Sequence, residues 1–402
     1  MKFTKVSFQN TKGESLSGRI DFPLISQPKA YVLFAHCFTC SKNLKVVEHI
    51  SSAFTETGMA VLRFDFTGLG QSEGAFAETN FSSNLDDLKD AYTFLEQNYE
   101  APRMLVGHSL GGAAVLHVAS QLAAVQAVAT IGAPAEPAHV AHLLENGREQ
   151  LEQHGEAKID IGGRPFTLKK QFLEDLEVQR GDHVIRNLGK ALLVLHSPQD
   201  AIVDIENAQD IYTQAMHPKS FVSLDRADHL LSDEGDAKYV GMIIANWSQR
   251  YIQVNNAMEM PEGEVKVRLG KTGFTTEVIA GRHSMVADEP PSVGGEDNGP
   301  TPYGFLLSAL GTCTAMTLRM YADFKKMNVE EIEVDLTHDK IHKQDGENSE
   351  SSSGKIDVLT RNIKLTGDLS EADRRRLIAI ADRCPVHKTL EGRPEIVTVS
   401  LD

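Results

Sequence analysis

From Ala30 to about Gly112, short unbroken apolar runs alternate with stretches of helical period. The runs are Tyr31 to Ala35, Ala60 to Phe64 and Arg103 to Val106, and the helical stretches are Val46 to Thr57 and Leu85 to Asn98. Strands buried on both faces read as continuous Val/Leu/Phe runs, so this alternation predicts a mostly parallel sheet covered by helices on both sides. Val125 to Ile131, Ala191 to His196 and Ser220 to Leu224 continue it, a helix from Asp236 to Tyr251 closes it, and Met1 to Phe8 alternates polar and apolar as a further strand does. Between about 134 and 187 the rhythm breaks into a polar helical segment (Val140 to Gln153), a hairpin turning at Gly162-Gly163 and a helix from Leu168 to Leu176, which predicts a cap inserted above the sheet.

After 255–263 the pattern changes. Strands are expected at Glu264 to Leu269, Phe274 to Ala280 and His283 to Ala287, then a helix from Pro302 to Met327 that Thr301 caps. Strands at Glu331 to His338 and Lys355 to Leu365, a helix from Glu371 to Arg383 capped by Ser370, and a last strand from Glu395 to Leu401 complete an α+β domain. The Pro302 helix is apolar on most of its faces, so it is expected to be buried centrally. Residues 1–254 thus form one domain, 255–263 a linker and 264–402 a second domain. Two domains also suit 402 residues, since single cores stop growing near roughly 250 to 300.

Composition changes this picture little. A 41 % hydrophobic and 24 % charged chain is an ordinary globular one. No stretch approaches the roughly 20 apolar residues of a membrane span, and Met1 to Phe8 lacks a signal's apolar core, so a cytoplasmic location and no membrane partner are expected. A net charge of −16 argues against nucleic acid. The four cysteines, Cys37, Cys40, Cys313 and Cys384, are too few for a disulfide scaffold and are expected to be free or catalytic thiols. Cys37 and Cys40 have no second C-x-x-C to complete a zinc site, so no metal and no cofactor are expected.

The sharpest motif is Gly107-His108-Ser109-Leu110-Gly111, which follows a strand and precedes the helical run Gly112-Ala113-Ala114. A G-x-S-x-G in that context places a serine on a tight strand-to-helix turn. A serine hydroxyl is a weak nucleophile and needs a histidine base oriented by a carboxylate. In chain order these are Asp200, just past the strand ending in His196, and His229, past the next strand; Asp204, Asp225 and Asp228 are weaker candidates for the acid. The oxyanion would be held by backbone N–H groups of Leu110 and of Phe38, in His36-Cys37-Phe38. With Phe64-Asp-Phe-Thr-Gly-Leu-Gly-Gln-Ser72 also present, the first 250 residues resemble the α/β-hydrolase superfamily of esterases and lipases, although Cys37 stands where that superfamily usually has glycine.

Gly299 to Cys313 (GPTPYGFLLSALGTC) and Arg383-Cys384-Pro385-Val386-His387 resemble the OsmC/Ohr family, the osmotically inducible and organic-hydroperoxide-resistance proteins, over most of Glu264 to Asp402. The resemblance implies an intertwined homodimer that reduces organic hydroperoxides. By it, Cys313 is the peroxidatic thiol, Cys384 the resolving one, Arg282 the cation that activates the thiolate, and a dithiol such as a lipoyl group the reductant. The family's peroxidases carry a glutamate ten residues before the peroxidatic cysteine; Tyr303 stands there, with Glu289, Glu296 and Asp297 as nearby substitutes. The sequence therefore leads to a serine carboxylic-ester hydrolase fused to a thiol peroxidase. Two alternatives remain: a C-terminal domain that only dimerises, and a serine site that cleaves thioesters or peptides.

Overall fold

A computed structural model describes residues 2–24, 27–37, 41–139, 150–151, 153–161, 164–179, 182–253, 260–342, 355–392 and 394–400. They divide into two compact units, Met1–Lys266 with Ile279–Ser284, and Val267–Val278 with Met285–Asp402. No helix among the described residues is long and apolar enough to cross a membrane.

The first unit is built on an eight-stranded sheet in the order β1-β2-β4-β3-β5-β6-β9-β10. Strands β3 (Tyr31–Ala35), β4 (Ala60–Phe64), β5 (Met104–His108), β6 (Ala127–Ile131), β9 (Ala191–His196) and β10 (Lys219–Ser223) are parallel. Strands β1 (Lys2–Gln9) and β2 (Ser15–Phe22) add antiparallel at one edge. One face packs Val32, Phe34, Val106, Ala129 and Leu193 under α1 (Lys45–Glu56) and α7 (Glu234–Ser248). The other packs Leu33, Leu62, Leu105 and Val128 under α2 (Phe81–Asn98) and α3 (Leu110–Ala119). Covered on both faces, β3, β4, β5, β6 and β9 are buried along their whole length.

The chain leaves β3 toward β4 on one side and returns as β5 on the other, and at such a switch point the carboxyl ends of the strands open a crevice for ligands. The inserted segment supplies a hairpin, β7 (Glu156–Ile161) with β8 (Arg164–Lys169), and helices α4 (Lys170–Val178) and α5 (Asp182–Arg186); α6 (Glu206–Gln214) follows β9. Asp175 of α4 accepts from the backbone N–H and hydroxyl of Ser82 at 2.7 and 2.6 Å, and Phe166 meets Phe76 with ring centroids 5.0 Å apart. The expected turn at Gly162-Gly163 and most of the expected helix over 140–153 lie outside the described residues.

Strands β11 (Val265–Leu269), β12 (Thr276–Ala280) and β13 (His283–Ala287) form a three-stranded sheet in that order. In the second unit a long antiparallel hairpin, β14 (Glu331–His342) with β15 (Lys355–Thr366), supports α8 (Pro302–Lys325), against which α9 (Glu371–Ala381) and α10 (Pro385–Glu391) pack. Leu318, Ala322, Val329, Leu365, Leu377 and Ala381 make its core.

Two expectations fail here. Helix α8 buries only the stripe Leu310, Gly311, Thr314, Leu318 and Ala322, while Met316, Met320 and Phe324 are 65 %, 73 % and 76 % exposed. Apolar composition all round asks for cover on every side, and within this unit only one face receives it. The last strand, expected from Glu395 to Leu401, does not form: 394–400 have no regular structure, and Ile396, Val397 and Val399 are exposed. Alternation makes a segment fit for a sheet edge but supplies no partner strand.

Candidate active sites

The first site sits where β5 turns into α3. Ser109 occupies that turn with φ 56° and ψ −127°, a strained conformation that lifts the side chain off the helix, and its N–H donates to the Ile131 carbonyl at 2.8 Å. The flanking glycines are required by close approach. A Cβ on Gly107 would lie 2.3 Å from the Gly111 carbonyl oxygen, and one on Gly111 would lie 2.4 and 2.5 Å from the carbonyl oxygens of Ala35 and His36.

The structure brings Ser109, His229 and Asp200 together. His229 Nε2 lies 3.0 Å from Ser109 Oγ, and its Nδ1 lies 2.7 Å from Asp200 Oδ2. The other carboxylate oxygen accepts the N–H groups of Ile202 and Val203, each at 2.9 Å. Burial would push the Asp200 carboxyl up; hydrogen bonding and charge from His229, with the two N–H groups, bring it below its ordinary value. An ionised Asp200 favours the Nδ1–H tautomer of His229, which leaves Nε2 facing Ser109 Oγ with a free lone pair. The alternative acids Asp204, Asp225 and Asp228 are exposed, and Asp228 caps Ser232 N–H at 2.7 Å.

Three further residues hold this arrangement. His108 Nε2 meets the His229 carbonyl oxygen at 2.7 Å; burial, then the nearby His229, bring its imidazole down to about 3, so it is the neutral donor of that bond. His196, also kept neutral by burial, donates to the Val203 carbonyl at 2.7 Å. Gly132, at φ +53°, passes so close that a Cβ would lie 3.1 Å from Asp200 Oδ2.

The loop after β3 is anchored by buried charges. Asp65 accepts Lys42 N–H at 2.7 Å, Lys42 Nζ at 2.5 Å and Gln71 N–H at 3.0 Å, while Arg63 Nη1 donates to the Lys42 carbonyl at 2.5 Å. Phe38, the expected second oxyanion donor, lies outside the described residues, as does Cys40. Leu110 begins α3, so its N–H has no carbonyl to serve within the helix. Cys37 is disulfide-bonded, not the free thiol expected. Compartment sets how common disulfides are, whereas whether a given cysteine forms one depends on the geometry its backbone provides.

In the second site Cys384 precedes α10, where its sulfur accepts the His387 N–H at 3.3 Å. The Thr314 hydroxyl stands 3.8 Å from the same sulfur and the Cys313 S–H donates to it. Burial would push the Cys384 thiol up, but the His387 N–H, Cys313, Thr314 and the charge of Arg361 together bring it below its ordinary value. Tyr303 stacks on His338 with centroids 4.1 Å apart and planes at 6°. Asp288 orders the loop carrying Glu289, Glu296 and Asp297 by accepting their neighbours' and their own N–H groups, including those of Glu289 at 2.8 Å and Glu296 at 3.3 Å.

Residues 26–152 match the family described as serine aminopeptidase, S33, and residues 295–399 match the OsmC-like protein family. The esterase domain of a Rhodothermus marinus protein is 55 % identical, with a TM-score of 0.54, over 62 % of this chain and 99 % of that one. The chain is an α/β-hydrolase joined to an OsmC-like domain. Est1E of Butyrivibrio proteoclasticus, solved with ferulic acid, shares the hydrolase fold at 18 % identity and a TM-score of 0.53, over 61 % of this chain and 98 % of its own. The mitochondrial palmitoyl-protein thioesterase ABHD10 of Mus musculus is 27 % identical over 44 % of this chain, and the match spans 62 % of that relative.

For the hydrolase, sequence reasoning passed over His108, His196, Gly132 and Lys42. His108 could have been suspected from its place beside Ser109, whereas Lys42 carries no local signal. In the OsmC-like domain it passed over Arg361 of β15, whose charge reaches Cys384; Arg282 is exposed at the turn after β12.

Proposed function

We propose that the chain is a bifunctional enzyme of the cytoplasm: a serine carboxylic-ester hydrolase and a thiol-dependent organic hydroperoxide reductase. The observation that carries the first activity is the unbroken hydrogen-bond relay from Ser109 through His229 to Asp200, at 3.0 and 2.7 Å. Ser109 attacks the acyl carbon as His229 takes its proton, and the N–H groups of Leu110 and Phe38 receive the oxyanion. His229 returns the proton to the leaving alcohol, and water repeats the sequence to release the acid. Thioesters fall within this chemistry, as the name of the mouse relative suggests, and profiling acyl esters against acyl thioesters ranks the two.

In the OsmC-like domain, Cys313 attacks the hydroperoxide O–O bond to give a sulfenic acid and an alcohol, and Cys384 displaces hydroxide from that sulfur to close a disulfide. A dithiol, such as a dihydrolipoyl group, then reduces it. The hydrogen bond between the two thiols and the charge of Arg361 support this reading. Purified protein should consume cumene hydroperoxide with dihydrolipoamide as reductant, and Cys313→Ser should abolish this while leaving ester hydrolysis intact.

A second reading makes the OsmC-like domain a silent dimerisation module. The open apolar face of Met316, Met320 and Phe324 and the tyrosine at 303 favour it. No turnover in the wild type would establish it, and both readings expect sedimentation as a homodimer.

A further inference from the structure

Cys384 is fully buried, whereas Cys313 is half-buried. Among the described residues, the groups that face the Cys384 sulfur are all donors: the His387 N–H, the Thr314 hydroxyl and the Cys313 thiol. The Thr314 hydroxyl stands at the centre. It lies 2.7 Å from the Leu310 carbonyl oxygen and 3.8 Å from the Cys384 sulfur, and its oxygen accepts Arg361 Nη1 at 2.8 Å.

A hydroxyl has one proton and cannot serve Leu310 and Cys384 at once. Beside a neutral thiol the carbonyl is the better acceptor. Once the sulfur is charged, a charge-assisted bond roughly twice as strong draws the proton to it, while Arg361 continues to donate to the oxygen. The guanidinium is held for this by the Ala381 carbonyl at 3.1 Å and Asp382 Oδ1 at 2.8 Å.

We infer that Arg361, acting through the Thr314 hydroxyl, makes Cys384 the sulfur expelled when a Cys313–Cys384 disulfide is reopened, and so directs the incoming thiol to Cys313. This rests on the thiol-peroxidase reading for its place in a cycle. A reductant thiolate forms a bond to the Cys313 sulfur, the bond between the two protein sulfurs breaks, and its electron pair leaves on Cys384. The reductant's second thiolate then closes a disulfide within the reductant and expels Cys313 as thiolate. Two electrons pass from the dithiol to the protein, and the protons the dithiol gave up return to the thiolates. Arg361 and Thr314 are positioning residues in this step. A better-stabilised leaving thiolate departs faster, and burial shields Cys384 from direct attack.

The test oxidises the full-length protein with diamide, which closes the disulfide without hydroperoxide, then adds excess glutathione, quenches in acid, alkylates and maps the adducts by peptide mass spectrometry. Glutathione is expected on Cys313 and the alkyl group on Cys384. Thr314→Val and Arg361→Met should slow opening about tenfold and erode the preference, and Thr314→Ser should restore both. Thr314→Val keeps the shape of the side chain and so stands even if Arg361→Met fails to fold. Failure to close the disulfide, glutathione on Cys384, or Thr314→Val behaving as wild type would overturn the inference. An adduct on Cys313 in a protein that consumes no hydroperoxide would sink the peroxidase reading alone and leave this one standing.

Discussion

Ser109 and Cys384 each sit immediately before a helix, and they use that position in opposite ways. Ser109 is forced into the left-handed region, and its side chain makes no cap to α3, so the hydroxyl is free to face His229. Cys384 keeps an ordinary extended backbone, at φ −64° and ψ 136°, and turns its sulfur back onto the His387 N–H. The difference follows from acidity. A hydroxyl does not ionise near neutral pH, so the chemistry proposed for Ser109 needs a base beside it and a backbone, strained here, that aims the oxygen at that base. A thiol ionises readily, so a ring of donors is enough.

The largest expected effect tests the first half of that contrast. Ser109→Ala should lower ester turnover by about 10⁴-fold or more, measured with a short-chain nitrophenyl ester, because the relay then has nothing to activate. Turnover within tenfold of wild type would remove Ser109 from the chemistry. Lys42→Met comes next. It leaves the fully buried Asp65 carboxylate without its cation and should cost about 3 to 5 kcal/mol in urea unfolding. Turnover should fall as well, since the loop after β3 loses its anchor, whereas the OsmC-like thiols should keep their reactivity.

The smallest effect concerns His108. Burial first, then His229, lower its imidazole from 6.5 to about 3. Between those values the unfolded chain binds a proton that the folded chain refuses, so stability falls as pH drops from 6.5 toward 3 and is unaffected above 7. The slope from this group is at most about 1.4 kcal/mol per pH unit. His108→Gln keeps a donor for the His229 carbonyl but cannot titrate, so its melting temperature should fall less steeply between pH 7 and 5. An unchanged slope would assign the acid sensitivity to His36, His117 and His196, which burial also lowers.

The parallel strands were legible because burial on both faces leaves apolar runs such as Tyr31 to Ala35 that need no partner to be read. Strand β2 was missed, since Ser15-Leu-Ser-Gly-Arg-Ile-Asp-Phe22 lies at the sheet's antiparallel edge and mixes polar residues with a glycine. The meeting of Ser109, His229 and Asp200 could be anticipated from chain order. Arg361 could not, because it reaches Thr314 from a strand 47 positions away and nothing local marks it. The last strand and the cover over α8 failed for a related reason: both depend on a partner surface, and periodicity describes only the segment itself.

Gly107, Gly111 and Gly132 have no side chain with which to take part in a reaction, yet backbone closes around Gly107 and Gly111, and the Asp200 and His229 side chains close around Gly132. A saturation-mutagenesis screen scored on ester cleavage should therefore find these three positions about as intolerant as the triad. Conservation or intolerance in this neighbourhood would then record how tightly the chain is folded over itself, as well as which atoms react.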